Sequence, residues 1–246
     1  MRIKVLISGL LASALLLGAA SVQSVAWAMG AVAVILQLLF SYAWPRLVRS
    51  DAPWPLTIIL AVCSLAATAA ALFMPGVSPM AHGVEVIAVG VLLVFISQVL
   101  RGADAEGRMA GTVSGITGLV MAVLGSAWAA AGTVNQGFAL TVVTVIGLLG
   151  AGVVSMTRLP NRITMVLAPV VSTVLGAIAT ALPLGLHAYE GLVLGLFAGI
   201  LVSALRALAL ATRSVRNLTG VIGLSSGMIL ISGAASWYVL ELMAFS

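Results

Sequence analysis

The chain has 246 residues, 62% of them hydrophobic and only 7% charged, with a mean hydropathy of +1.25. No water-soluble core of this length buries so much apolar side chain, so a soluble globular fold is excluded and lipid must solvate the outer faces. A net charge of +5 and a pI near 10.4 would point to nucleic acid in a soluble protein, but no nucleic-acid module is present and none is expected as a partner.

In chain order the apolar blocks run from about Val5 to Ala20, Val25 to Trp44, Trp54 to Phe73, Val84 to Leu100, and Ala110 to Ala131. They continue with Phe138 to Met156, Thr164 to Leu184, Gly191 to Ala211, and Thr219 to Met243. Each approaches the roughly 20 residues that a helix rising about 1.5 Å per residue needs to cross about 30 Å of hydrocarbon. The expected fold is all-α, a polytopic integral membrane protein of about nine transmembrane helices. Loops are short and none has a linker composition, so residues 1–246 are expected to form a single multispanning membrane domain. The basic start, apolar core and Ala26-Trp27-Ala28 of the first block have the form of a signal peptide. A second apolar stretch follows almost at once, which favours a retained hairpin; cleavage would leave eight helices.

With the N-terminus in the cytoplasm, Arg2, Lys4, Arg46, Arg49, Arg101, Arg108, Arg158, Arg162, Arg206, Arg213 and Arg216 all fall on the inner side. Asp51, Asp104 and Glu106 join them, while Glu85, Glu190 and Glu241 lie at outer helix ends. The alternate loops carry no lysine or arginine, which is the positive-inside bias and puts the C-terminal Phe245 and Ser246 outside. Arginine is used almost to the exclusion of lysine in a chain rich in Ala, Val and Gly, a composition typical of GC-rich bacteria. The expected location is therefore a bacterial cytoplasmic membrane. Trp44 and Trp54 flank the first inner loop, and Trp27, Trp128, Trp237 and Tyr238 fall toward outer ends, where amphipathic rings act as interfacial anchors.

Small residues carry the packing signal. Gly191, Gly195 and Gly199 make two successive GxxxG steps, and the pairs Gly111 and Gly115, and Gly223 and Gly227, make one each. Such faces let backbones approach closely, within one chain or between chains, and internal packing is the expectation. Gly147, Gly150 and Gly152 cluster in the sixth block, and Pro169 and Pro183 interrupt the seventh. Gly118 precedes Trp128 as Gly227 precedes Trp237, an echo between the fifth and ninth blocks that would be a parallel repeat.

Chemistry is sparse. Metal-dependent lipid enzymes need several carboxylates, and the six acids here all stand at block ends or in loops. There is no P-loop, HExxH or GxSxG, and the lone Cys63 excludes an internal disulfide or CxxC site, so no metal and no cofactor is expected. Two constellations remain as candidates. His187, Tyr189 and Glu190, with His82 and Glu85, form an outer polar group able to bind a cation or relay protons, though a solvated loop is the expectation. On the inner side Arg206 lies within the eighth block, where it snorkels to headgroups or faces a polar cavity, and Arg206, Arg213 and Arg216 with Gly227 are the candidate substrate-binding residues.

The stretch Gly191 to Leu205, the basic run Arg206, Arg213 and Arg216, the segment Leu224-Ser225-Ser226-Gly227 and the closing apolar run to Met243 resemble the C-terminal part of bacterial phosphatidate cytidylyltransferases. Those membrane enzymes make CDP-diacylglycerol from CTP and phosphatidic acid. Leu230 and Ile231 stand where that family ends its signature in Asp-Arg, Ser225 replaces its histidine, and the aspartates near the basic cluster are missing. The resemblance implies a relative without the metal-dependent chemistry, with Gly227 as the matching position. Three functions follow as expectations. The first is a non-catalytic scaffold or accessory subunit in envelope or lipid assembly, with membrane lipids and another membrane protein or a second copy as partners. The second is a permease for a small or lipidic, anionic solute, routed between the sixth, eighth and ninth blocks. The third is a divergent cytidylyltransferase-like lipid enzyme.

Overall fold

The computed structural model describes residues 2–22, 27–74, 80–102, 107–134, 136–157, 159–212 and 217–244. Among them all regular structure is helical: α1 (Arg2–Ser21), α2 (Trp27–Leu47), α3 (Pro53–Phe73), α4 (Gly83–Val99), α5 (Arg108–Leu124), α6 (Ala127–Ala131), α7 (Gly137–Met156), α8 (Asn161–Ala179), α9 (Ala188–Thr212) and α10 (Leu218–Ala244). Seven spans are long and apolar enough to cross a bilayer, namely α2, α3, α5 with α6 as Arg108–Ala131, α7, α8, α9 and α10. The apolar stretches of α1, Ile7–Ser21, and of α4, Gly83–Val99, are shorter. Outside the described residues lie Ala26 of the signal-like motif, Asp104, Glu106, Arg158, Arg213, Arg216, Phe245 and Ser246.

Two expected blocks differ from the helices observed. The fifth is one span, Arg108–Ala131, made of two helices: α5 stops at Leu124 and α6 begins at Ala127, with Gly125 and Ser126 between them in right-handed helical backbone. The seventh ends at Ala179, and Pro183 falls in the turns beyond it rather than inside a helix. Proline cannot donate the backbone bond that would carry the helix on. Pro169 does lie within α8, and Thr173 donates its hydroxyl back to the Pro169 carbonyl at 2.7 Å.

Two groups of helices meet along α10. On one side α2 to α6 pack together; on the other are α7, α8 and α9, with α1 set against α7, α10 and α2. Buried on α10 are the serines Ser225, Ser226, Ser232 and Ser236 beside the larger Leu224, Ile229 and Leu230, and Gly223, Gly227 and Gly233 give neighbours close approach. The α2 helix supplies two rings that fill such faces. Phe40 and Trp44, with centroids 5.2 Å apart, are both buried. Trp44 covers Gly118 of α5 and donates from Nε1 to the Ser114 carbonyl at 2.9 Å, while Phe40 covers Gly227 of α10. The glycines of the fifth and ninth blocks that echo each other thus receive rings one turn apart on the same helix.

The tryptophan anchors need correction. Trp27, Trp54 and Tyr238 are exposed, but Trp44, Trp128 and Trp237 are enclosed by protein. Trp128 is fully buried against Gly233 and donates from Nε1 to the Ile229 carbonyl at 2.6 Å. Its indole N–H finds a backbone acceptor on another helix instead of the interface.

Helices α8 and α9 meet backbone to backbone. A Cβ placed on Gly191, Gly195 or Gly199 would run into Gly176, Ser172 with Thr173, or Pro169 respectively. Ser172 also donates to the Gly147 carbonyl at 2.7 Å, joining α7 to the same contact. Gly195→Leu should therefore force α8 and α9 apart and lower stability in detergent by about 1–3 kcal/mol. Gly18→Leu, at an exposed site on α1 with nothing within 4 Å of the added Cβ, should leave the melting temperature nearly unchanged.

Candidate functional site

The best-built polar site lies at the midpoint of α2 and was not singled out from the sequence. Gln37 is fully buried, and its Nε2 donates to the Ala122 carbonyl of α5 at 3.1 Å. Thr68 of α3 donates its hydroxyl to Gln37 Oε1 at 2.8 Å. One turn along each helix stand Ser41 and Ser64, both fully buried. The Ser64 hydroxyl bonds back to the Ala61 carbonyl at 3.1 Å, whereas Ser41 Oγ has no partner among the described residues.

The Ala122 carbonyl lies at the joint of the fifth span. Gly125 donates its N–H to Ala122 at 3.2 Å, and Ser126 donates to Val123 at 3.0 Å, so the last turn of α5 tightens to i→i−3 bonds. Gln37 gives the Ala122 carbonyl a second donor there. At the same turn Leu230 of α10 occupies the space a side chain at position 125 would take. In an apolar medium polar side chains need partners inside the protein, and the Gln37 amide finds one in the Ala122 carbonyl, tying α2 to the tightened turn. The signal in the sequence is a lone amide amid the Val25 to Trp44 block, since a polar group inside a span marks a structural or functional contact.

Arg206 sits on α9, partly exposed, and donates from Nη1 to the carbonyl of Ser155 in the last turn of α7. The contact carries Arg206 across to the end of α7. A cation at a helix C-terminus meets the negative end of the dipole and carbonyls lacking intrahelical donors. The hydroxyls of Ser155 and of Ser203, one turn before Arg206, are buried without a partner among the described residues. Gly227 is covered by Met121 and Phe40, each 3.0 Å from a Cβ built there, and Gly223 faces Ala43 at 3.2 Å.

The outer histidine and carboxylate residues form two pairs. His82 Nδ1 lies 3.0 Å from Glu85 Oε2 at the start of α4, and His187 Nδ1 lies 3.3 Å from Glu190 Oε1 at the start of α9. Helix α4 packs on α3 and α5, while α9 packs on α7, α8 and α10. No group of three or more His, Cys, Asp or Glu side chains able to hold a metal occurs among the described residues. The solvated-loop expectation needs correction at Glu190, which is 1% exposed and accepts the His187 backbone N–H at 2.8 Å. A carboxylate there completes the first turn of α9, favoured by the helix dipole. Near the other end of the chain's first helix group, Gly111 approaches Gln98 Oε1 at 2.9 Å and Gly115 approaches Val94 at 2.8 Å, measured from a built Cβ. Arg101 bridges Gln98 at 2.9 Å and Asp51 at 3.5 Å.

No protein-family model, no curated protein and no solved structure matches the chain. The class that fold and site define is thus an all-helical, membrane-type bundle with an internal hydrogen-bonded joint.

Replacing Gln37 by Leu leaves the Thr68 hydroxyl without its acceptor and removes the second donor to the Ala122 carbonyl. The expected cost is about 1–2 kcal/mol in a detergent unfolding series, and a Gln37→Leu/Thr68→Val cycle should show coupling of about 0.6 kcal/mol or more.

Proposed function

We propose that this chain is a non-catalytic protein of a bacterial cytoplasmic membrane, crossing it nine times with the N-terminus inside and the C-terminus outside. Its role is that of a scaffold or accessory subunit in envelope or lipid assembly, held by membrane lipids and by another membrane protein or a second copy. The observation that carries this reading is that the candidate binding residues hold helices together. Arg206 bonds to the end of α7, Gly227 seats Phe40, and Gly191, Gly195 and Gly199 lie against α8. The six acids of the whole sequence, all at block ends or in loops, fit the same reading.

The nine crossings count α1 and α4 with the seven longer spans. Helix α4 has 17 residues and rises about 26 Å, close to the hydrocarbon thickness. The orientation rests on the arginines, all of which fall on one side under this count.

A permease for a small or lipidic, anionic solute is a second reading, favoured by the unpartnered hydroxyls of Ser155 and Ser203 next to Arg206. A polar group left unbonded in an apolar interior is costly unless something else binds it.

Affinity purification of the tagged chain from its own membranes in mild detergent should yield a stoichiometric partner or a homo-oligomer; a lone monodisperse copy contradicts the scaffold. In proteoliposomes the scaffold shows no solute flux. The permease predicts flux that falls at least tenfold in folded Arg206→Leu. Neither reading permits Mg-dependent turnover of CTP with phosphatidate, which would instead establish the cytidylyltransferase-like enzyme.

A further inference from the structure

We propose that the turn between α2 and α3 binds the phosphate of an anionic phospholipid headgroup, through Arg46 and Arg49. Arg49 is the non-glycine residue with positive φ, 54°, among the described residues. Ser50 donates its N–H to the Pro45 carbonyl at 2.8 Å and Arg49 donates to Arg46 at 3.3 Å, closing α2 with a left-handed residue in the position that favours glycine. The Arg49 side chain is exposed, so the strain is not offset by packing. An arginine kept there is explained by what its guanidinium meets outside the protein.

Arg46 supplies the second cation at a fixed depth. Its guanidinium carbon lies 3.7 Å from the Tyr42 ring centroid and 4.9 Å from that of Trp54. Its Nη1 donates to the Tyr42 carbonyl and, at 3.4 Å, to the Thr57 hydroxyl. Tyr42 and Trp54 are 49% and 62% exposed, and amphipathic rings at the ends of spanning helices occupy the headgroup layer. The rings thus hold Arg46 level with lipid phosphates, where a planar guanidinium matches two phosphate oxygens.

Charge complementarity selects an anionic headgroup. Asp51, the acid of this turn, faces Arg101 at 3.5 Å, and neither Arg46 nor Arg49 has a carboxylate partner among the described residues. The proposal rests on the orientation above, which turns this loop toward the anionic cytoplasmic leaflet.

The test is thermal unfolding of the purified full chain in neutral detergent, with added phosphatidylglycerol, phosphatidylcholine or inorganic phosphate. Phosphatidylglycerol should raise Tm and phosphatidylcholine should not. Arg49→Gly and Arg46→Gln should each lose at least half of that rise, whereas Arg162→Gln, at an exposed site on α8, should keep it. Without lipid, Arg49→Gly should melt at or above the wild type, because glycine relieves the strained turn. A full response in Arg49→Gly overturns the site, and an equal loss in Arg162→Gln reduces it to diffuse attraction. An equal rise with inorganic phosphate replaces the headgroup by a soluble anion. Micelles have no sides and the sample has no partner, so a failed lipid response leaves the orientation and the scaffold reading standing.

Discussion

Helices dissolved in lipid gain little from hiding apolar surface against one another, because the hydrocarbon is as apolar as they are. Their association falls to close backbone approach and to hydrogen bonds between them, and both are concentrated in this bundle. Glycines of α9 lie on the backbone of α8, and those of α5 and α10 receive the rings of Trp44 and Phe40. Thr144 with Ser236 at 2.8 Å, and Ser8 with Ser225 at 2.7 Å, tie α10 to α7 and α1. Remove these contacts and nothing in the solvent would hold the helices in one arrangement.

The same constraint explains the joint of the fifth span. The tightened turn between α5 and α6 is packed by Leu230 and receives the Gln37 amide. Trp128 then anchors the short α6 to α10 through the Ile229 carbonyl. The α2 helix, carrying Gln37, Phe40 and Trp44 on three successive levels, therefore positions both α5 and α10. Arg206 plays the corresponding part on the other side, where it closes the end of α7 from α9.

Block positions were legible in the sequence because hydropathy integrates over many residues and no partner is needed to read it. The glycine faces were legible as close-approach surfaces, but not their partners, since nothing along the chain says that Gly199 meets Pro169 or that Gly118 meets Trp44. The fate of the tryptophans was not legible either. Trp54 and Trp128 both stand near block ends, and only the three-dimensional neighbours separate an exposed ring from one buried on Gly233. Gln37 does not stand out among the candidate residues, because it is an uncharged amide whose role depends on a carbonyl 85 positions away. Glu190 was visible as a helix-end acid, but its burial follows from the packing of α9 and not from its own sequence context.

The account depends on lipid surrounding the bundle and on the arginine-bearing turns sharing one side of it. Thiol accessibility in intact cells tests this most directly, with Ala81→Cys before α4 and Asn161→Cys at the start of α8, both at exposed positions, and the native Cys63 buried. A membrane-impermeant reagent should label Ala81→Cys in intact cells and Asn161→Cys only after permeabilisation. Labelling of Asn161→Cys in intact cells, or of both sites alike, would contradict it.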